Sequence, residues 1–223
     1  MVRLVGNSID WAARWNEGRI GFHQESVNAI LCERWPELVP DAYCRVLVPL
    51  CGKSKDMLWL LRRGHTVVGV ELCDVAVEAF FDENGLAFDI DDRGDHRVYV
   101  GKGDASRLSL IVGDFFQLRH RLEGAFDAVY DRAAIVALPR ERWGDYSEAL
   151  DALMSASAVG LMLTFEYPQS ERSGPPFSVS LADVSGCFQS GWIVDMLDRI
   201  DLTESNRWNL SQIHEPVIHL MRR

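Results

Sequence analysis

The chain has 223 residues, 48% of them hydrophobic and 25% charged, enough for one α/β domain with a full core and cramped for two. A formal net charge of -10 opposes tight binding to a phosphate backbone, which draws its affinity from clustered Lys and Arg, so nucleic acid is excluded as a partner. No apolar run is long enough to span a bilayer, and residues 1–10 lack the uninterrupted apolar core of a secretory signal, so a cytoplasmic protein with no membrane partner is expected.

Ser8 or Asp10 is placed to cap a short N-terminal helix with Trp11 and Trp15 one turn apart on one face, followed by a Gly-containing loop over 18–23. A second helix is predicted over 25–35 and closed by Pro36. These elements precede the first sheet strand, so residues 1–40 are expected to form a helical lid over a core comprising 41–223.

The stretch 45–71 carries the most information. Residues 45–49 are an apolar run too short for a helix and suited to a strand buried on both faces. The chain turns over 50–54, where Gly52 removes the Cβ that would block close approach, and a helix starts near Asp56 with apolar Met57, Leu58, Leu60 and Leu61. Gly64 stops it, and a strand over 65–71 ends in Glu71, about 20 residues beyond Gly52, where a carboxylate accepts from both hydroxyls of a ribose. Gly52-Lys53-Ser54 imitates the end of a triphosphate-binding loop, but position 47 is Leu where that loop needs glycine. One glycine among bulky neighbours also leaves little room for the pyrophosphate of a dinucleotide. A ligand with adenosine and no phosphate fits better, S-adenosylmethionine being the common one; a plain α/β crossover would give the same pattern.

Asp74 is expected to cap a helix to about Asn84, with Gly85 as its stop, and 88–99 reads as a small hairpin at the rim. Short strands follow over 108–112 and 126–130, with polar tips at Gly113-Asp114 and Asp131-Arg132. A helix over 140–157, an apolar strand over 159–167 and a Pro/Gly/Ser-rich loop over 168–177 come next. The chain closes with a helix over 181–189 and strands over 193–200 and 216–221 that pair as an antiparallel edge. The fold class is therefore α/β: a doubly wound, seven-stranded, mostly parallel sheet of the methyltransferase variety, with ligands expected outside the carboxyl ends of the strands.

Five cysteines, odd in number and without a CxxC pair, predict reduced, mostly buried thiols, with Cys51 a packing residue of the turn rather than a redox centre. Six scattered histidines show no HxxxH or HExxH spacing, so no metal is expected.

The segments RWNEGRIGFHQESVN (14–28), VLVPLCGKSKDMLWL (46–60), VVGVEL (67–72), GDFFQL (113–118), YDRAAIVALP (130–139) and SGPPFSV (173–179) resemble those of the thiopurine S-methyltransferases, particularly the bacterial branch, in family order and across almost the whole chain. The resemblance implies S-adenosylmethionine as cofactor, contacted by Trp15, Leu50, Glu71 and Arg132, with Asp114 accepting from the adenine amine and Phe115 covering the ring. It implies methyl transfer to the sulfur of a small aromatic or heterocyclic thiol, an in-line displacement that needs placement and exclusion of water more than proton chemistry. Trp15 and Phe22 would face the sulfonium, Phe177 would sandwich a flat substrate, and Asp131 would orient Arg132 at the transfer site. Arg207, on a loosely matching segment, and Arg172 are the candidates for a substrate carboxylate. A selenium or tellurium species, an oxygen or nitrogen acceptor, and an inactive cofactor-binding relative are the alternatives. A monomer is expected.

Overall fold

The computed structural model describes residues 9–39, 43–94, 96–118, 122 and 124–223. Ser8, and the expected lid boundary at residues 40 and 41, lie outside them. Strands β1 (Arg45–Pro49) and β2 (Thr66–Glu71) pair in parallel, joined by helix α3 (Asp56–Arg62). Ahead of them come α1 (Trp11–Asn16), capped by the Asp10 carboxylate at 2.8 Å from Ala13 N, and α2 (Ala29–Leu38), capped by Asn28. The second helix starts later than expected and runs through Pro36 rather than stopping there. Pro36 falls in its last turn, where little helix remains to be disrupted.

The remaining elements are α4 (Asp74–Glu83), β3 (Phe88–Asp92), β4 (Arg97–Gly101), β5 (Leu108–Val112), α5 (Phe115–Leu118), β6 (Phe126–Arg132), α6 (Trp143–Leu153), β7 (Met154–Leu163), α7 (Leu181–Phe188), β8 (Trp192–Asp201) and β9 (His214–Arg222). The sheet order is β3-β4-β5-β2-β1-β6-β7-β9-β8. Its centre is parallel, and β4 against β5 and β9 against β7 are antiparallel. The expected seven strands become nine because the rim hairpin is not separate: β4 hydrogen-bonds to β5 and carries β3 outward. The predicted helix over 140–157 is shorter, since Met154 to Ser157 belong to β7, where Met154 lies opposite Phe126.

Side-chain alternation along the central strands makes the sheet doubly wound. Leu47, Val68, Val70, Val129 and Met162 point to one face and pack with Tyr146, Leu150, Val184 and Phe188 of α6 and α7. Val46, Val48, Val67, Tyr130 and Leu161 point to the other and pack with Trp35, Met57, Leu60, Phe80 and Phe81 of α2, α3 and α4. Each large side chain buried in this way stabilises the fold by about 1.5–3 kcal/mol. Of the cysteines, Cys51 and Cys73 are buried, Cys44 and Cys187 half-buried and Cys32 exposed, so "mostly buried" overstates the case; none is joined in a disulfide. No helix among the described residues is long and apolar enough to cross a membrane.

Candidate active site

The turn after β1 is held by the acid that ends β2. Leu50 (φ 47°) and Gly52 (φ 52°) both take the left-handed conformation, which costs Leu50 about 1–2 kcal/mol. Cys51 N donates to Val70 O at 2.9 Å. Gly52 N donates to Glu71 Oε2, and Cys73 N to Glu71 Oε1, each at 2.9 Å. Glu71 is only 7% exposed, and burial raises its pKa although the backbone amides pull the other way. Both oxygens are thus fixed, and the carboxylate they belong to lines the cavity. Two glycines make room: a Cβ on Gly69 would lie 2.7 Å from Cys51 Sγ, and one on Gly52 would lie 3.1 Å from Trp15 Cζ2.

Over this turn lies an aromatic roof. Phe22 meets Trp11 and Trp15 edge to face, at centroid distances of 5.7 and 5.5 Å. Beneath it a cavity of about 1110 Å³ opens along the carboxyl ends of the strands, bounded by Trp15, Phe22, Leu50, Gly52, Glu71, Asp114, Phe115, Arg132, Arg172 and Arg207. All ten were singled out from the sequence.

Arg132 closes β6 and is anchored by a residue the sequence reading passed over. Its Nε donates to Asp56 Oδ2 at 2.6 Å and its Nη2 to Ser54 Oγ at 2.8 Å. Asp56, with no exposed surface, also accepts from Asn28 N at 2.8 Å and Tyr130 OH at 3.0 Å. One carboxylate therefore joins the start of α2, helix α3 and strand β6. Burial disfavours the Arg132 charge most strongly, but Asp56 and Tyr130 together outweigh it and its pKa rises.

Asp131 does not pair with Arg132. Successive residues of a strand point to opposite faces, and the Asp131 carboxylate turns to α6, accepting from Tyr146 OH at 2.7 Å and from Ala134 N and Ile135 N at 3.1 and 3.3 Å. It is off the cavity lining, and its contacts fix the segment after Arg132. Burial pushes its pKa up to about 6 against the pull of these donors. The folded protein therefore holds a proton that the unfolded chain releases at its ordinary value of 3.8. The stabilisation from that proton is fully present below about 3.8 and is lost as pH rises through about 6. Melting curves from pH 5 to 8 should show Asp131→Asn gaining on the wild type as pH rises; parallel curves would contradict this.

Asp114 caps α5, with Oδ1 accepting from Phe116 N at 3.0 Å and Oδ2 from Gln117 Nε2 at 3.2 Å, so it reaches the cavity with part of its capacity spent. Phe115 is mostly core, packed on Tyr146 at 5.6 Å, with one edge on the cavity. Phe177 is not on the lining: its N–H donates to Val136 O at 2.7 Å, its ring lies against Gly174, and Pro175 and Pro176 form the wall instead. Arg172 and Arg207 flank Trp208 at 4.9 and 5.4 Å from its ring, and Arg207 donates to Gly21 O. Glu215 on β9 also lines the cavity and was missed, because its place follows from the antiparallel course of β9 rather than from a local pattern. Among the described residues no group of three or more His, Cys, Asp or Glu could hold a metal.

Two solved structures of similar shape define the class. A Burkholderia thailandensis 1,6-didemethyltoxoflavin-N1-methyltransferase, crystallised with 1,6-didemethyltoxoflavin and S-adenosylhomocysteine, has a TM-score of 0.63 at 15% identity, covering 96% of this chain and 85% of that one. A TehB-like SAM-dependent methyltransferase from Corynebacterium glutamicum has a TM-score of 0.57 at 14% identity, covering 96% of each. The fold is that of the S-adenosylmethionine-dependent methyltransferases. A family model described as Thiopurine S-methyltransferase (TPMT) matches residues 7–223. A Thiopurine S-methyltransferase of Nitrosospira multiformis is 42% identical over 221 residues, 96% of this chain and 97% of that protein. One of Pseudomonas fluorescens is 44% identical over 202 residues, 91% and 90% of the two chains. The chain belongs to the thiopurine S-methyltransferase family.

Proposed function

We propose that this chain moves the methyl group of S-adenosylmethionine to the sulfur of a small aromatic or heterocyclic thiol of the thiopurine kind. The observation that carries the reading is the backbone-clamped carboxylate of Glu71 at the floor of an aromatic-roofed cavity, in a chain whose relatives are named for that transfer. When bound, the cofactor supplies an electrophilic methyl on a positively charged sulfur.

The residues present fit such a group. Glu71 would accept from the ribose hydroxyls, and Gly52 and Leu50 would let the sugar lie against the turn. Asp114 would take the adenine amine and Phe115 the ring edge. Arg132, oriented by Asp56, would hold the cofactor's carboxylate. Trp15 and Phe22 would shield the positive sulfur from water and face it with their rings. Arg172, Arg207 and the Pro175-Pro176 wall would bound the acceptor.

The test is methyl transfer to a thiopurine, with selenite, a catechol and an amine run in parallel. Turnover should be confined to, or at least tenfold faster on, the thiopurine. Cofactor binding without transfer to any acceptor would overturn the reading.

A further inference from the structure

The sheet delivers one carboxylate to the far wall of the cavity. Strand β9 runs antiparallel to β7, with Val217 opposite Leu163, so its first residues arrive where the parallel strands end. His214 bridges to Glu166, just past that end, and Glu215 beside it lines the cavity with Leu163, Phe165 and Trp208. In the strand order β2-β1-β6-β7-β9, Glu215 is four strand spacings from Glu71, about 19 Å, and two from Arg132, about 10 Å. The ribose acid and Glu215 therefore mark opposite ends of the cavity, and Glu215 stands on the acceptor side.

Glu215 is half-buried, and among the described residues nothing hydrogen-bonds or pairs with its carboxylate; Arg132 is the charge that acts on it. Burial raises its pKa and Arg132 lowers it. An acceptor seated in the cavity shuts water away from this carboxylate and must supply a donor of its own or leave the acid unpaired. Aryl thiols have no N–H to offer. Heterocyclic thiols in their thione form do, on the ring nitrogen adjacent to the C=S carbon.

Resting on the thiol reading above, we propose that Glu215 recognises the ring N–H of a heterocyclic thione and takes its proton during transfer. The thione sulfur forms its bond to the methyl carbon as the donor's sulfonium C–S bond breaks. The N–H electron pair stays on the ring as the C=N bond forms, and the proton passes to the Glu215 carboxylate and then to water. The sulfonium and carboxylate charges disappear together, leaving two neutral thioethers and a carboxylic acid. Glu215 thereby selects nitrogen heterocycles over plain aryl thiols of the same size.

Pyridine-2-thione and thiophenol share a six-membered ring and differ in that N–H, which makes them the probes. Glu215→Gln should lower the ratio of their kcat/KM values, thione over thiophenol, about 30-fold, and Glu215→Asp should restore part of it. By calorimetry on the S-adenosylhomocysteine complex, pyridine-2-thione should bind several-fold more weakly to Glu215→Gln than to the wild type. Wild-type protein should also methylate N-methylpyridine-2-thione at least 30-fold more slowly than pyridine-2-thione, a comparison that needs no variant to fold. An unchanged ratio in Glu215→Gln, or equal wild-type rates on the two thiones, would overturn this inference alone. Wild-type protein inactive on both pyridine-2-thione and thiophenol would overturn the thiol reading and this inference with it.

Discussion

Glu71→Ala is expected to weaken S-adenosylhomocysteine binding by about 3 kcal/mol, roughly 100-fold in Kd. Two losses combine. The ribose hydroxyls lose a charged acceptor, and the amides of Gly52 and Cys73, now held at 2.9 Å, lose theirs. The second loss loosens the turn in which Leu50 and Gly52 hold left-handed conformations, so part of the effect is a pocket that is no longer preformed. Glu71→Gln retains one oxygen acceptor and should fall between, about tenfold weaker than wild type. Isothermal calorimetry separates the three proteins. Equal affinities would falsify the placement of the ribose at the end of β2.

Asp56→Ala should be the most destabilising single change in the site, costing about 3–5 kcal/mol, because it strands the buried guanidinium of Arg132 without a counter-charge. Asp56 has no exposed surface and receives Asn28 N, Tyr130 OH and Arg132 Nε together. Tyr130→Phe is the control: it deletes one donor and leaves the ion pair, so it should cost about 1 kcal/mol. Urea unfolding of the three proteins measures the difference. A cost for Asp56→Ala no greater than for Tyr130→Phe would mean that the Arg132 head group finds water or another acceptor.

Glu71 and Asp56 differ in how far the sequence discloses them. The placement of Glu71 was legible because it is set by local order: strand, Gly turn, helix, strand and acid lie within one crossover, and the strand expected over 45–49 forms as Arg45–Pro49. Asp56 was hidden because its partners are distant, up to 76 positions away in Arg132. Adjacency in the sequence pointed to Asp131 instead, and strand alternation is what separates the two side chains. The same logic explains the other misses. Residues 154–157 carry no glycine or proline to end a helix, and only their pairing beside β6 decides for strand. Whether the 88–101 hairpin stands free or extends the sheet depends on which edge of β5 is open. Glu215 gains its meaning from the direction of β9, a property of topology rather than of composition.

The meeting of Arg207 with Gly21 across the cavity mouth, 186 positions apart, has a bearing on biosynthesis. The wall that includes Glu215 belongs to β9, so a ribosome must release that strand, long after the Glu71 corner, before the chamber can close. Until then the growing chain owns the Glu71 corner with no room attached, and catalytic competence should arrive abruptly once β9 is in place rather than by degrees.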